Sequence, residues 1–103
     1  MSVYGEWKNA VIPAGSSITS AIDLAREYDY LSVIIPGMDA CKLQLQVAET
    51  LGGTYYDLGN ASTDEEAFNR ADVWRLGGYR YIKIKASKVQ DNAVAIRCCG
   101  MRY

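Results

Sequence analysis

With 103 residues, half of them hydrophobic, the chain is one domain of ordinary size, able to fold without disulfides or metals. Eleven basic residues oppose twelve acidic ones with the signs interspersed, which argues against nucleic acid as the main partner, because phosphate neutralisation needs a basic excess on some face. The apolar runs are too short to span a bilayer as a helix, and Met1 to Glu6 lack the basic start and apolar core of a signal peptide.

Residues 1–6 read as a flexible arm, and 7–103 as a single domain. Trp7 to Ile12 reads as a first short strand with Trp7, Asn9 and Val11 on one side. Pro13 to Ser16 has turn composition. From Ser17 to Leu24 the residues alternate, with Ile18, Ser20, Ile22 and Leu24 on one face; the Ser/Thr content favours a strand over the helix that Ala21, Ile22, Ala25 and Arg26 would suit. The run Tyr30 to Ile35, stopped by Pro36-Gly37, predicts a central strand covered on both faces.

Cys41, Leu43, Leu45 and Val47 alternate with Lys42, Gln44 and Gln46, the clearest inward–outward pattern in the chain. Leu51-Gly52-Gly53 predicts a turn with positive φ, and Thr54 to Leu58 a hairpin return. Gly59 to Ala71 departs from the pattern. Ser62-Thr63-Asp64-Glu65 matches a capping box, with Ala67, Phe68 and Ala71 on one helical face, so a short helix near 63–70 or an irregular loop follows.

Asp72 to Leu76 is a short strand, and Gly77-Gly78 a turn. In the next strand Arg80, Ile82, Ile84 and Ala86 share one face, and Tyr79, Tyr81, Lys83 and Lys85 the other. Lys88 to Asn92 is a polar turn. Ala93 to Cys99 alternates with Val94, Ile96 and Cys98 inward, and Gly100 to Tyr103 can extend that strand. The expectation is an all-β, antiparallel two-sheet β-sandwich, jelly-roll-like, of about seven or eight strands with at most one short helix.

Histidine is absent, which removes the usual general base, the Ser-His-Asp and Cys-His systems and the commonest metal ligand. The three cysteines, Cys41, Cys98 and Cys99, are an odd set with no Cys-x-x-Cys pair, so a zinc site is not expected. They read as buried thiols in a reducing compartment, with a Cys41–Cys98 bridge between facing strands as the alternative. Asp64-Glu65-Glu66 reads as the first turn of the short helix. Asp57 and Asp72 would suit glycoside hydrolysis only at a separation the sequence does not fix. Lys83, Lys85 and Lys88 with Tyr79 and Tyr81 read as a solvated face, not a nucleic-acid surface. No enzyme activity and no cofactor are expected.

Eight tyrosines and two tryptophans remain. Tyr55, Tyr56, Trp74, Tyr79 and Tyr81 lie beside glycine turns or on the outer face of a strand and form the candidate binding surface. Packing over a sheet is the plainest role for such residues; anchoring a protein interface is a second, and a sugar platform of Trp74, Tyr79 and Tyr81 a third.

The order of four pieces resembles small β-sandwich virion proteins of tailed bacteriophages: Val33-Ile34-Ile35-Pro36, Leu43-Gln44-Leu45-Gln46-Val47, Gly52-Gly53-Thr54-Tyr55-Tyr56-Asp57-Leu58 and Tyr79-Arg80-Tyr81-Ile82-Lys83-Ile84. Discoidin-like and other carbohydrate-binding sandwiches share these structural motifs. The resemblance implies a capsid decoration or auxiliary protein, or a tail-associated subunit, made in the host cytoplasm without a signal peptide and residing in the virion. It implies a homo-oligomer with capsid or tail proteins as partners, and no nucleic acid or membrane. A carbohydrate-binding module with a glycan as partner is the alternative. No functional residue transfers, because the matching positions are core and turn positions.

Overall fold

Alternating burial along the strands sets the architecture. A computed structural model describes residues 3–102, and all side chains among them except those of Val3, Tyr4, Asn60 and Ala67. Among the described residues there are nine strands and no helix: β1 (Val3–Tyr4), β2 (Lys8–Ile12), β3 (Ile22–Asp23), β4 (Tyr30–Cys41), β5 (Leu43–Ala48), β6 (Tyr56–Ser62), β7 (Glu66–Arg75), β8 (Tyr81–Ala86) and β9 (Val94–Arg102). They form two antiparallel sheets. In the five-stranded sheet β1 and β2 pair one edge of β9, followed by β4 and β7; the four-stranded sheet has the order β3-β8-β5-β6. Consecutive strands cross between the sheets at most steps, as in a jelly roll.

The core lies between the sheets. Ile12, Leu31, Val33, Ile35, Trp74 and Ile96 face Leu43, Leu45, Val47, Ile82 and Ile84, all buried. Each large aliphatic side chain contributes about 1.5–3 kcal/mol by leaving water. The expected inward residues of β5 and β9 and Ile82, Ile84 and Ala86 of β8 are buried, whereas Arg80, expected on the same face, precedes β8 and is only half-buried.

Several expectations need correction. The 1–6 segment is not a loose arm throughout: Val3 and Tyr4 pair with Arg102 and Met101, and the Gly5 amide donates to the Gly100 carbonyl at 2.8 Å. Met1, Ser2 and Tyr103 lie outside the described residues. In residues 17–24 only Ile22–Asp23 form a strand, Ile18 makes a lone bridge to Lys85, and Thr19 is buried while Ser20 is exposed. Thr19 substitutes for a ladder residue: its amide donates to the Ile84 carbonyl and its hydroxyl accepts from the Ile84 amide, both at 3.0 Å.

β4 is not stopped by Pro36-Gly37 but continues to Cys41, nor is it covered on both faces, since Ile34 is 45% exposed. The 63–70 segment is no helix. Most of it belongs to β7, where Phe68 and Asn69 adopt left-handed φ of 62° and 75° opposite an irregularity in β4 between Gly37 and Cys41. This bulge breaks the period of two and lets Glu66 and Arg70 form a 2.6 Å ion pair. Positive φ among the glycines falls at Gly15, Gly77 and Gly78, not at Gly52-Gly53.

All three cysteines are free and buried, with no Cys41–Cys98 bridge. Burial pushes the Cys98 thiol up to about 11 and raises those of Cys41 and Cys99. A thiol raised in the folded state supports folding below its ordinary range, and that support fades as the pH climbs toward the folded value. We expect no reaction of native protein with Ellman's reagent at pH 8, and release of three equivalents on unfolding in guanidinium; rapid labelling of the native state would contradict the buried placement.

Candidate functional site

The outer faces of the two sheets differ in chemistry. On the four-stranded sheet, Tyr81, Lys83 and Lys85 of β8 stand opposite Ala48, Gln46 and Gln44 of β5, and Gln46 stands opposite Asp57 of β6. This face is polar and internally bonded. The Gln46 amide donates to Asp57 at 2.9 Å. Gln44 donates to the carbonyls of Leu58 at 2.8 Å and Ala61 at 3.3 Å, filling the bulge where β6 departs from β5.

Four of the five candidate aromatics sit toward one end of this sheet. Tyr55 is half-buried; its hydroxyl donates to the Leu51 carbonyl at 2.8 Å and its ring lies 4.5 Å from the Lys83 ammonium. Burial raises its hydroxyl pKa. Tyr81 is half-buried beside the Arg80 guanidinium, 5.1 Å from the ring centroid. Arg80 grips Asp23 with two bonds of 2.7 and 3.0 Å, which holds the Asp23 carboxyl below its ordinary range; the Ala25 amide assists. The pair is exposed, so it orients the β3 edge more than it stabilises the fold.

Tyr56 and Tyr79 line one cleft of about 460 Å³ together with Glu49, Thr50, Thr54 and Asp57. Tyr56 opens β6 and is 67% exposed. Tyr79 follows the Gly77-Gly78 turn, whose φ values of 71° and 90° favour glycine. That turn is tied to the core, because the Gly77 amide donates to the Asp29 carbonyl and the Gly78 amide to the Tyr28 carbonyl. Across the cleft, Gly53 donates to the Thr50 carbonyl at 3.2 Å, and a Cβ on Gly53 would meet the Thr50 hydroxyl.

Trp74 does not belong to this surface. It pairs with buried Leu31, is itself 4% exposed and lies in the core, its indole N–H donating to Asp72 at 3.3 Å. The paired-carboxylate idea finds no support: Asp57 is bonded to Gln46 on one sheet, and Asp72 to Trp74 and Val73 on the other. Among the described residues no group of three or more His, Cys, Asp and Glu is placed to hold a metal.

The sequence reading missed the outer face of the five-stranded sheet. There Val11 and Ala95 are paired, Ile34 stands between Arg97 and Ala71, and Ser32 stands between Cys99 and Val73. Val11, Ile34, Ala71, Val73 and Ala95 are all exposed, Val73 by 53%. Trp7 is exposed beside them, with the Arg97 guanidinium 5.6 Å from its ring. Arg75 and Arg97 are the charged residues at these outward positions, and no carboxylate stands among them.

No known protein family matches the sequence, and no curated protein matches it. Among solved structures, the chain is similar to the SPBc2 prophage-derived protein YomS, with 7% identity and a TM-score of 0.63 over 98% of this chain and 95% of that one. It is similar to a Ruminococcus gnavus GH29 fucosidase solved with fucose, 16% identical with a TM-score of 0.58 over 92% of this chain; it spans 20% of that enzyme's length. It is also similar to the family 32 carbohydrate-binding module of Clostridium perfringens NanJ solved with galactose, 9% identical with a TM-score of 0.53 over 91% of this chain and 99% of that one. The chain thus shares its β-sandwich fold with a prophage-derived protein and with carbohydrate-binding sandwiches.

Proposed function

We propose that the chain is a non-enzymatic virion structural protein, a capsid decoration or tail-associated subunit that acts by protein–protein adhesion. The observation that carries this reading is the apolar outer face of the five-stranded sheet. Exposed Val11, Ile34 and Val73 on one sheet face, with Trp7 beside them, are what a docking surface needs and what a free-standing sheet avoids. The partner it fits is a shell or tail protein with an apolar patch and carboxylates to meet Arg75 and Arg97. The likeness to a prophage-derived protein over nearly the whole of both chains adds support. On the particle the subunits form a symmetric homo-oligomer.

The test is the composition of purified particles. Peptide mass spectrometry of particles from phage-producing cells carrying the gene should find the chain. The Ile34→Asp/Val73→Asp double variant, confirmed as folded by circular dichroism, should be lost from them. Absence of the wild-type chain from the particles would refute the reading, and full retention of the double variant would refute the docking face. A second reading, carbohydrate binding, is favoured by the tyrosine-lined cleft and by the likeness to a module solved with galactose. The two are compatible, because the apolar face and the cleft belong to different sheets.

A further inference from the structure

We propose that the cleft between Tyr56 and Tyr79 is a binding site for an uncharged hexopyranose, and that it rejects sialylated and sulfated glycans. This rests on the carbohydrate-binding reading and names its site and ligand class. The cleft volume of about 460 Å³ falls in the range of roughly 300–1,000 Å³ usual for small-ligand sites. Tyr56 and Tyr79 are exposed, and among the described residues neither side chain has a hydrogen-bond or ring partner. Exposed phenol rings offer an electron-rich face to the C–H face of a pyranose and a hydroxyl to its rim.

Glu49, Thr50, Thr54 and Asp57 line the same cleft and supply acceptors and donors for sugar hydroxyls. Asp57 is already oriented by Gln46 at 2.9 Å. The walls are held before any ligand arrives: the 51–55 turn by the Tyr55–Leu51 bond, and the 77–78 turn by Asp29 and Tyr28. That lowers the ordering cost of binding.

Charge sets the specificity. Two carboxylates line the cleft and no lysine or arginine does, so a glycan carrying its own anion is repelled. A larger cleft of about 660 Å³ on the same sheet makes the contrast. There Lys42 and Lys85 balance Asp57 and Asp64, and with no aromatic ring it has no platform for a sugar.

The experiment is a glycan array displaying neutral galactosides, fucosides and N-acetylhexosaminides beside their sialylated and sulfated forms, followed by calorimetry with the best neutral glycan. Wild-type protein should bind neutral glycans only. Tyr56→Ala and Tyr79→Ala should each lose about tenfold or more in affinity, with the fold unchanged because both rings are exposed. Val89→Ala, exposed and outside this cleft, should stay within about twofold. Glu49→Lys should admit sialylated forms. A blank array would refute the carbohydrate-binding reading itself. Binding that survives both tyrosine variants, or a wild-type preference for anionic glycans, would leave that reading standing and overturn this site.

Discussion

Gly100→Ala is expected to destabilise the protein by about 3 kcal/mol or more. β9 passes directly under the ring of Tyr28, which is buried. A Cβ on Gly100 would fall 2.5 Å from Tyr28 Cγ and 2.6 Å from Cε2, and closer still to Cδ2. The far end of the ring lies close over Gly5, where an added Cβ would fall 2.6 Å from the hydroxyl, which limits its retreat. Tyr28 is thus clamped over two backbone segments that approach it only because they lack side chains. Urea unfolding should show the loss as a fall in midpoint with an unchanged slope. Gly52→Ala is the control, since nothing lies within 4 Å of the added carbon, and it should change stability by less than about 0.5 kcal/mol. In a Tyr28→Ala background the Gly100→Ala step should cost little. Strict additivity of the two changes would show that the clash is not the cause.

Gln90→Leu should cost about 2–4 kcal/mol although it places a hydrophobic residue in a buried position. Gln90 is 1% exposed. Its Oε1 accepts from the Asp39 amide at 2.9 Å, and its Nε2 donates to the Lys88 carbonyl at 3.1 Å. Leucine fills similar space but leaves these backbone groups without a partner. Gln90→Glu separates the two roles. It keeps the acceptor for Asp39 and loses the donor, and it buries a charge near the Asp39 carboxylate, which itself accepts from the Asp91 amide. The pKa of the introduced carboxyl should therefore be raised in the folded state, so that this variant is most stable below the ordinary carboxylate value and loses stability as the pH rises from there through the raised one. Thermal unfolding across pH 4–8 reads the effect; a Gln90→Glu variant with the wild-type pH profile would contradict it.

The two cases mark what a sequence pattern carries. β8 and β9 were legible because Ile82, Ile84, Val94 and Ile96 alternate strictly with polar or small neighbours, and burial keeps that alternation. β7 was not. Ala67, Phe68 and Ala71 recur at helical spacing behind a capping box, while the chain is extended and takes up the mismatch in left-handed Phe68 and Asn69. Ile34 was read as covered because hydrophobicity marks burial only when the opposite face is polar; in β4, apolar on both faces, the exposed Ile34 and the buried Val33 and Ile35 look alike.

Composition and the glycine turns singled out Tyr55, Tyr56, Tyr79 and Tyr81, which the fold sets toward one end of the four-stranded sheet, whereas Trp74 took the inward side because β7 pairs it with Leu31. Glu49, Thr50 and Thr54 carried no signal of their own, and join Tyr56 and Tyr79 only through the β5–β6 hairpin and the 77–78 turn. Gln90 stood in a polar stretch where nothing distinguishes a solvated amide from one that serves buried backbone.

The position of β9 has a kinetic consequence. It pairs with β1, β2 and β4, joining Val3 to Arg102 and Lys8 to Cys98. The five-stranded sheet therefore cannot assemble progressively along the chain, since the β1–β9 and β2–β9 ladders close loops that span nearly the whole described length. Such topology places folding at the slow end of the range for small domains, about milliseconds to seconds. Until β9 docks, β4 and β7 present open edges and two apolar faces, so the window for misassembly is widest just before the last long strand is added.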